Sequence, residues 1–281
     1  MEIPVADQLS ALAHDRRLDV FRLLMRRYPD AVPAGEIAAA LDLRPNTTSV
    51  YLSILRQAGL ISQTRAGTFQ LYRIRLEAVQ GMFGQMLGDC CRNRPDICLP
   101  GTVAEALPAP TEARPLEVLF LCSHNSARSI MAEALLRAAG PRFRAHSAGT
   151  RPAAAPHPEA LAVLRTHNLD TAELLSEPVS QFLNGAAPMD LVITVCDRAA
   201  NEDVAHWPGA PLHAHWGLDD PLAAETEAGR QAAMREAFAL IRARIDALAD
   251  LPLGALDGPA LQGHLDDIGR MTSPPMSAHP A

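Results

Sequence analysis

Leu9, Leu12, Leu18, Phe21 and Leu24 recur at helical spacing near the start of the chain, so one face of successive helices is apolar there. "AGEIAAALDL" predicts a short helix and "RPNTTSVYLSILRQAGLI" another. In the second, Asn46 or Thr47 is expected to cap the start and Ala58-Gly59 the end. The period then changes: "LISQTRAGTFQLYRI" alternates apolar and polar residues about Ala66-Gly67, the pattern of a two-stranded hairpin with Arg65 at its tip. An amphipathic helix follows from near Leu76. Further on, "EVLFLC" is a continuous apolar run, as in a strand buried on both faces. "SIMAEALLRAAG" follows it as an amphipathic helix closed by Gly140, and "DLVITVC" is a second buried strand. Between the two regimes, residues 99–115, "LPGTVAEALPAPTEARP", have no apolar period and are rich in Pro and Ala. They predict a linker. The expected organisation is a mainly helical domain over 1–98, a linker over 99–115, an α/β domain over 116–271 and a disordered tail over 272–281.

Composition agrees with two domains, since 281 residues suffice for two separate cores. Charge divides along the same line. Residues 1–100 hold 12 arginines against 10 acidic groups, and residues 101–281 hold 13 against 22. An acidic, enzyme-like part thus follows a part whose arginines can face nucleic acid. No run of 18 apolar residues occurs, and the first residues lack a basic-then-apolar signal pattern. A soluble cytoplasmic protein without a membrane partner is expected. The five cysteines then serve as reactive or ligating thiols rather than disulfide staples.

The two helices joined by "LDLRPN" form a helix-turn-helix, and the second presents Thr47, Thr48, Ser49, Tyr51 and Ser53 as its polar side. Small hydroxyl side chains approach bases and phosphates closely, and Arg65 extends from the hairpin. "ALAHDRRLDVFRLL", "PNTTSVYLSILRQAGLI" and the hairpin, in this order over about residues 5–90, resemble the winged helix-turn-helix of the ArsR family of metalloid-responsive repressors. The resemblance implies a homodimer on two-fold operator DNA. Just beyond, "GDCCRNRPDICLP" gathers Cys90, Cys91 and Cys98. Three thiolates suit a soft trivalent centre such as arsenite or antimonite. A closed zinc site wants a fourth ligand, and no histidine lies nearby. Similar cysteine clusters occur in some ArsR-type arsenic sensors, so arsenite is expected as the regulatory ligand.

In the second half, Cys122 and Arg128 bracket the polar loop Ser123, His124, Asn125, Ser126, Ala127, with Ser129 following. Backbone N–H groups of such a loop at a helix start form an anion cradle. The same groups, with Arg128 and the Ser129 hydroxyl, are expected to lower the Cys122 pKa below the ordinary cysteine value. Arg128 offers a planar fork to two oxygens of a tetrahedral anion. "LCSHNSARSIMAEALLR", "HSAGT", "DLVITVCD" and "HWGLDDP" resemble, in order over about 117–270, the low-molecular-weight protein tyrosine phosphatase fold and its arsenate reductase branch. That fold is a three-layer α/β domain with a parallel, flavodoxin-like sheet. The resemblance implies Cys122 as nucleophile, Arg128 as oxyanion holder and Asn125 as brace of the loop. Asp220, or Asp219 beside it, becomes the general acid, and His124 points away. Cys196 stands where arsenate reductases carry the cysteine that releases arsenite and leaves a disulfide. Thioredoxin-coupled members have a third cysteine about where Val204 stands here. An external thiol reductant with a glutaredoxin-like partner is therefore expected, a thioredoxin-like one or a resolving role for Cys98 and its neighbours being alternatives. No tightly bound cofactor is expected. Two other readings stay open: a phosphatase fused to a regulator, and a sensor whose second domain binds oxyanions without turnover.

Overall fold

The computed structural model describes residues 3–87, 109–183, 188–202, 207–208 and 211–272. The chain divides into two compact units, Met1–Glu105 and Ala106–Ala281, within the span predicted as linker. Residues 99–108 of that span, and 273–281 of the tail, lie outside the described residues. The end of the predicted linker is already structured: Arg114 N–H donates to Thr111 Oγ1 at 3.1 Å, and Ala109 packs against Gly254. Its lack of apolar period reflects a surface segment tied by hydrogen bonds rather than an unattached one.

The first unit runs α1 (Val5–Leu12), α2 (Asp15–Arg26), β1 (Val32–Pro33), α3 (Ala34–Ala40), α4 (Pro45–Gln57), β2 (Ile61–Ala66), β3 (Phe69–Ile74) and α5 (Leu76–Gln85). Its core gathers Val20, Leu23, Leu24, Ile37, Leu52, Leu55 and Leu60. Leu9 does not join it; α1 buries Gln8 and Ala11 instead. Helix α4 begins one residue ahead of the predicted caps, with Pro45 at its first position behind Arg44. Proline lacks the N–H that a first-turn residue would leave unbonded, and its φ already suits a helix, so Asn46 and Thr47 fall inside the first turn. The helix closes at Ala58, where Gly59 turns to φ +70. The hairpin pairs Ile61 with Ile74 through Ala66 with Phe69, and Gly67 supplies the positive φ of its turn. β1 adds a third antiparallel strand through Val32 and Tyr72. Two residues, one of them proline, carry no periodicity to announce a strand.

The second unit runs β4 (Leu116–Cys122), α6 (Arg128–Ala138), β5 (Phe143–Gly149), α7 (Pro158–Thr166), α8 (Ser180–Leu183), β6 (Leu191–Thr194), α9 (Asp197–Asn201), β7 (Leu212–His215), α10 (Glu227–Asp250) and α11 (Gly258–Gly269). The four strands are parallel in the order β5-β4-β6-β7. All but one residue of β4 are buried, as its continuous apolar run requires of a strand covered on both faces. Helix α6 packs on β4 and β5, α10 on α6 and α7, and α11 on β7. The chain leaves β4 toward β5 and later returns to its other side as β6. The carboxyl ends of β4 and β6 therefore flank the point where strand order reverses, the place where ligands bind in open α/β sheets.

Buried Arg244 of α10 holds the far wall of that crevice. Its guanidinium donates to the carbonyls of Trp216 and Gly217 after β7, and to those of Gly269 and Met271 at the end of α11. Trp216 adds an indole N–H bond to Leu265 O at 3.0 Å. Arg244→Met keeps the length but leaves four carbonyls without their donor. It is expected to destabilise the second unit by about 3 kcal/mol, measured as a lowered urea midpoint of the tryptophan fluorescence of Trp216.

Candidate active site and nucleic-acid interface

The loop from Cys122 to Arg128 is anchored from outside. Thr150, Arg151, Ala153 and His157 donate their backbone N–H groups to the carbonyls of Cys122, Ser123, His124 and Ser126, at 2.8 to 3.1 Å. With its carbonyls drawn outward, the loop turns its N–H groups inward. The Asn125 N–H points at Cys122 Sγ at 3.0 Å. Those of Ser123, His124, Ser126 and Ala127 meet no acceptor among the described residues, although the loop residues other than His124 are buried. Buried N–H groups are nearly always bonded, and this ring at the start of α6 has the chemistry of an anion cradle.

Asn125 is the brace. Its backbone sits at φ +46, and its side chain spends every polar atom. Nδ2 donates to Ser129 Oγ at 2.9 Å and Ser147 Oγ at 2.7 Å, while Oδ1 accepts from Glu177 N–H at 2.7 Å. Ser176 Oγ bonds the Asn125 carbonyl. Ser147, Ser176, Glu177 and Gly149 had no assigned role in the sequence, although "HSAGT" carries two of them. Gly149 is there for space: a Cβ would lie 2.8 Å from Ser123 O and 3.1 Å from Asn125 Cβ.

Cys122 lies at the base of the cradle, 2 % exposed, with Ser129 Oγ 2.9 Å from its sulfur. The expected lowering of its pKa is not what this geometry produces. Burial pushes the thiol up, and the neighbouring Cys196 adds to this; the Ser129 hydroxyl, Arg128 and the Asn125 N–H pull down by less. Arg128 is at the same time engaged elsewhere. It donates to Leu218 O at 2.9 Å and pairs with Asp220 at 3.2 Å. That contact also separates the two aspartates, both of them exposed: Asp220 pairs with Arg128 and caps the turn at Leu222, whereas Asp219 makes no such contact among the described residues. His124 is exposed, as expected.

Cys196 is buried just past β6 as the N-cap of α9, accepting from Ala199 N–H at 3.4 Å. Ser123 Oγ stands 3.5 Å from its sulfur, so the loop's first hydroxyl bridges toward the second cysteine. His215 joins the neighbouring ends, contacting Thr194 Oγ1 at 2.8 Å and Asp197 at 3.4 Å. Cys90, Cys91, Cys98 and Val204 lie outside the described residues.

On α4, Ser49 is exposed, and Thr47, Tyr51 and Ser53 are partly so. Thr48 departs from the predicted polar side: it is 1 % exposed, and its hydroxyl bonds back to Arg44 O at 3.2 Å, which satisfies the oxygen within the core. Residues that the polar pattern passed over share the open face, namely Arg44, Asn46 and Val50. Arg65 stands exposed on β2, opposite Gln70 and bonded to Gly67 O.

Gly149→Ala should displace the Ser123 carbonyl and with it the cradle. The expected result is binding of inorganic phosphate weakened about tenfold or more, since a shift approaching 1 Å in such a site is costly; isothermal titration calorimetry measures it.

Comparison with known proteins agrees with this geometry. The family described as low molecular weight phosphotyrosine protein phosphatase matches residues 117–256, and a helix-turn-helix domain family matches residues 12–64. An arsenate reductase of Halalkalibacterium halodurans is 35% identical over 135 residues, which cover 47% of this chain and 94% of that protein. An arsenate reductase of Archaeoglobus fulgidus, of known crystal structure, is 28% identical with a TM-score of 0.39, over 48% of this chain and 100% of that one. The homodimeric winged helix-turn-helix domain of a Mycobacterium bovis protein is 34% identical with a TM-score of 0.24, over 30% of this chain and 82% of that one. Through its second unit the chain belongs to the low-molecular-weight phosphatase family, in the arsenate reductase branch, and it carries a helix-turn-helix domain, here followed by a hairpin wing, ahead of that unit.

Proposed function

We propose that the second unit reduces arsenate to arsenite, and that the first unit is a repressor released from its operator by arsenite. The observation that carries the first part is the placement of Cys196. It lies just past the adjoining strand's end, buried, with its sulfur 3.5 Å from the Ser123 hydroxyl of the nucleophile's own loop. A phosphatase needs only water for its second step.

In this reading the N–H cradle and Arg128 hold arsenate, the anion taking over the guanidinium from Asp220. The Cys122 thiolate attacks arsenic, and the expelled oxygen departs with a proton from Asp220. Cys196 as thiolate then attacks Cys122 Sγ. A sulfur–sulfur bond forms, the sulfur–arsenic bond breaks, and its electron pair stays with arsenic, which leaves as arsenite. An external thiol supplies the two electrons and two protons that reopen the disulfide; without a third cysteine near Val204, a low-molecular-weight thiol with a glutaredoxin-like partner fits that role.

Support for the first unit's role comes from the exposed face of α4, with Asn46, Ser49 and Val50 available to base edges and Arg44 and Arg65 to phosphates. Exposed Leu9 on α1 and Phe83 on α5 suit a homodimer that buries them. Cys90, Cys91 and Cys98 follow α5 in sequence, and three soft donors take arsenite but not arsenate, whose oxygens are hard.

Cys122→Ser is expected to abolish arsenate reduction in a coupled thiol assay. Cys196→Ala should stop arsenate turnover yet retain hydrolysis of a small aryl phosphate; equal loss of both activities would show that Cys196 only supports the fold. For the regulator, gel-shift titration should show arsenite freeing the wild type from operator DNA. Arsenate plus reductant should do so only when Cys122 is present. Release of the Cys122→Ser protein by arsenate would overturn the division of labour.

A further inference from the structure

The open side of α4 is less polar than its sequence. Thr48 is buried, its proton spent on Arg44 O at 3.2 Å, and Ser49 donates to Pro45 O at 3.0 Å. A hydroxyl carries one proton, so neither has one left to give to a base. Tyr51 is half-buried, its ring 5.2 Å from that of His14. What the helix holds out instead is Val50, 55 % exposed. Thr48 lies two residues before it and Leu52 two after, both buried. Two residues are about 200° of helix, so Val50 stands opposite the core, with Asn46 and Ser53 a turn to either side.

A β-branched side chain lowers helix propensity, and on an open face its methyl groups bury nothing in return. The surroundings say what covers them. Residues 44–57 include no acidic group, and exposed Arg44 and Arg56 lie toward the two ends of the helix. A cationic helix with an apolar crest complements a polyanion that presents an apolar group between its phosphates. In the major groove of DNA that group is the 5-methyl of thymine.

We propose that Val50 is a specificity-determining residue, packing on a thymine 5-methyl group once in each half-site of the operator. Valine neither donates nor accepts a hydrogen bond, so it discriminates by contact alone. Thymine offers a methyl group to bury. Cytosine has none, and its amino group beside the valine would lose water without gaining a partner.

The inference rests on the first unit binding DNA and is independent of the arsenic chemistry. Its test starts from duplexes selected by the full chain out of a random pool. The selected site is remade with deoxyuridine for thymine, one symmetric pair at a time, which removes the methyl and keeps the pairing. Fluorescence anisotropy at fixed salt reads Kd. With the wild type, one pair of thymines should stand out: uracil weakens binding about fourfold at one half-site and roughly tenfold or more at both, as expected for a methyl-sized contact. Val50→Ala replaces an exposed residue by a better helix former. It should bind the thymine site less tightly by a comparable factor and no longer distinguish uracil at that pair. Three results would overturn the proposal: a selected site with no thymine common to both half-sites, a wild type indifferent to uracil, or a Val50→Ala protein that loses as much on uracil as the wild type. Failure to select any sequence would overturn the DNA-binding reading together with it.

Discussion

The second unit depends on one residue being held in an unfavourable conformation. Asn125 occupies the left-handed region, which costs most residues roughly 1 to 2 kcal/mol and asparagine less. Four hydrogen bonds through its side chain and carbonyl offset that cost. They tie the loop to α6, to β5 and to the segment before α8, while four outside N–H groups take the loop's carbonyls. Only with all of these in place do the remaining N–H groups converge above Cys122.

Convergence has a consequence for the thiol. A cradle tight enough to exclude water removes solvation from the sulfur, and in this geometry that loss exceeds what Ser129, Arg128 and the Asn125 N–H return. Arg128 is paired with Asp220 meanwhile, so in the proposed reaction the two charges neutralise one another until an anion separates them. The site stores its reactive groups in mutually satisfied form, and binding an anion rearranges charge as well as filling space.

The proposed function gives the fusion a chemical logic. Arsenate and arsenite differ in the hardness of the atoms they present, so a cradle of N–H groups and a cluster of thiolates read different species. On the proposed mechanism, Cys122 and Cys196 convert the species read by one into the species read by the other. The acidic second unit and the arginine-bearing first unit keep the anion chemistry and the DNA-facing surface on separate folds, each with its own core.

Much of this was legible in the chain because it is local. The apolar run of β4, the turn at Gly67 and the spacing of Cys122 and Arg128 each occupy a few consecutive residues, and period and spacing reveal such features. Helix α6, expected to be amphipathic, is instead buried on every side from Arg128 to Leu136 because the sheet and α10 cover it. What the sequence left open depends on partners far along it. Asn125 finds Ser147 22 residues away and Glu177 N–H 52 away, and Arg244 collects carbonyls from two other segments. Thr48 has the polarity of a surface residue, yet packing turns it inward, where its hydroxyl is satisfied by its own helix. The direction of the Cys122 pKa was beyond reach for the same reason. Its favourable contacts are mostly neighbours in sequence, whereas its burial is a sum over every element that covers it, and that sum exists only once the chain has folded.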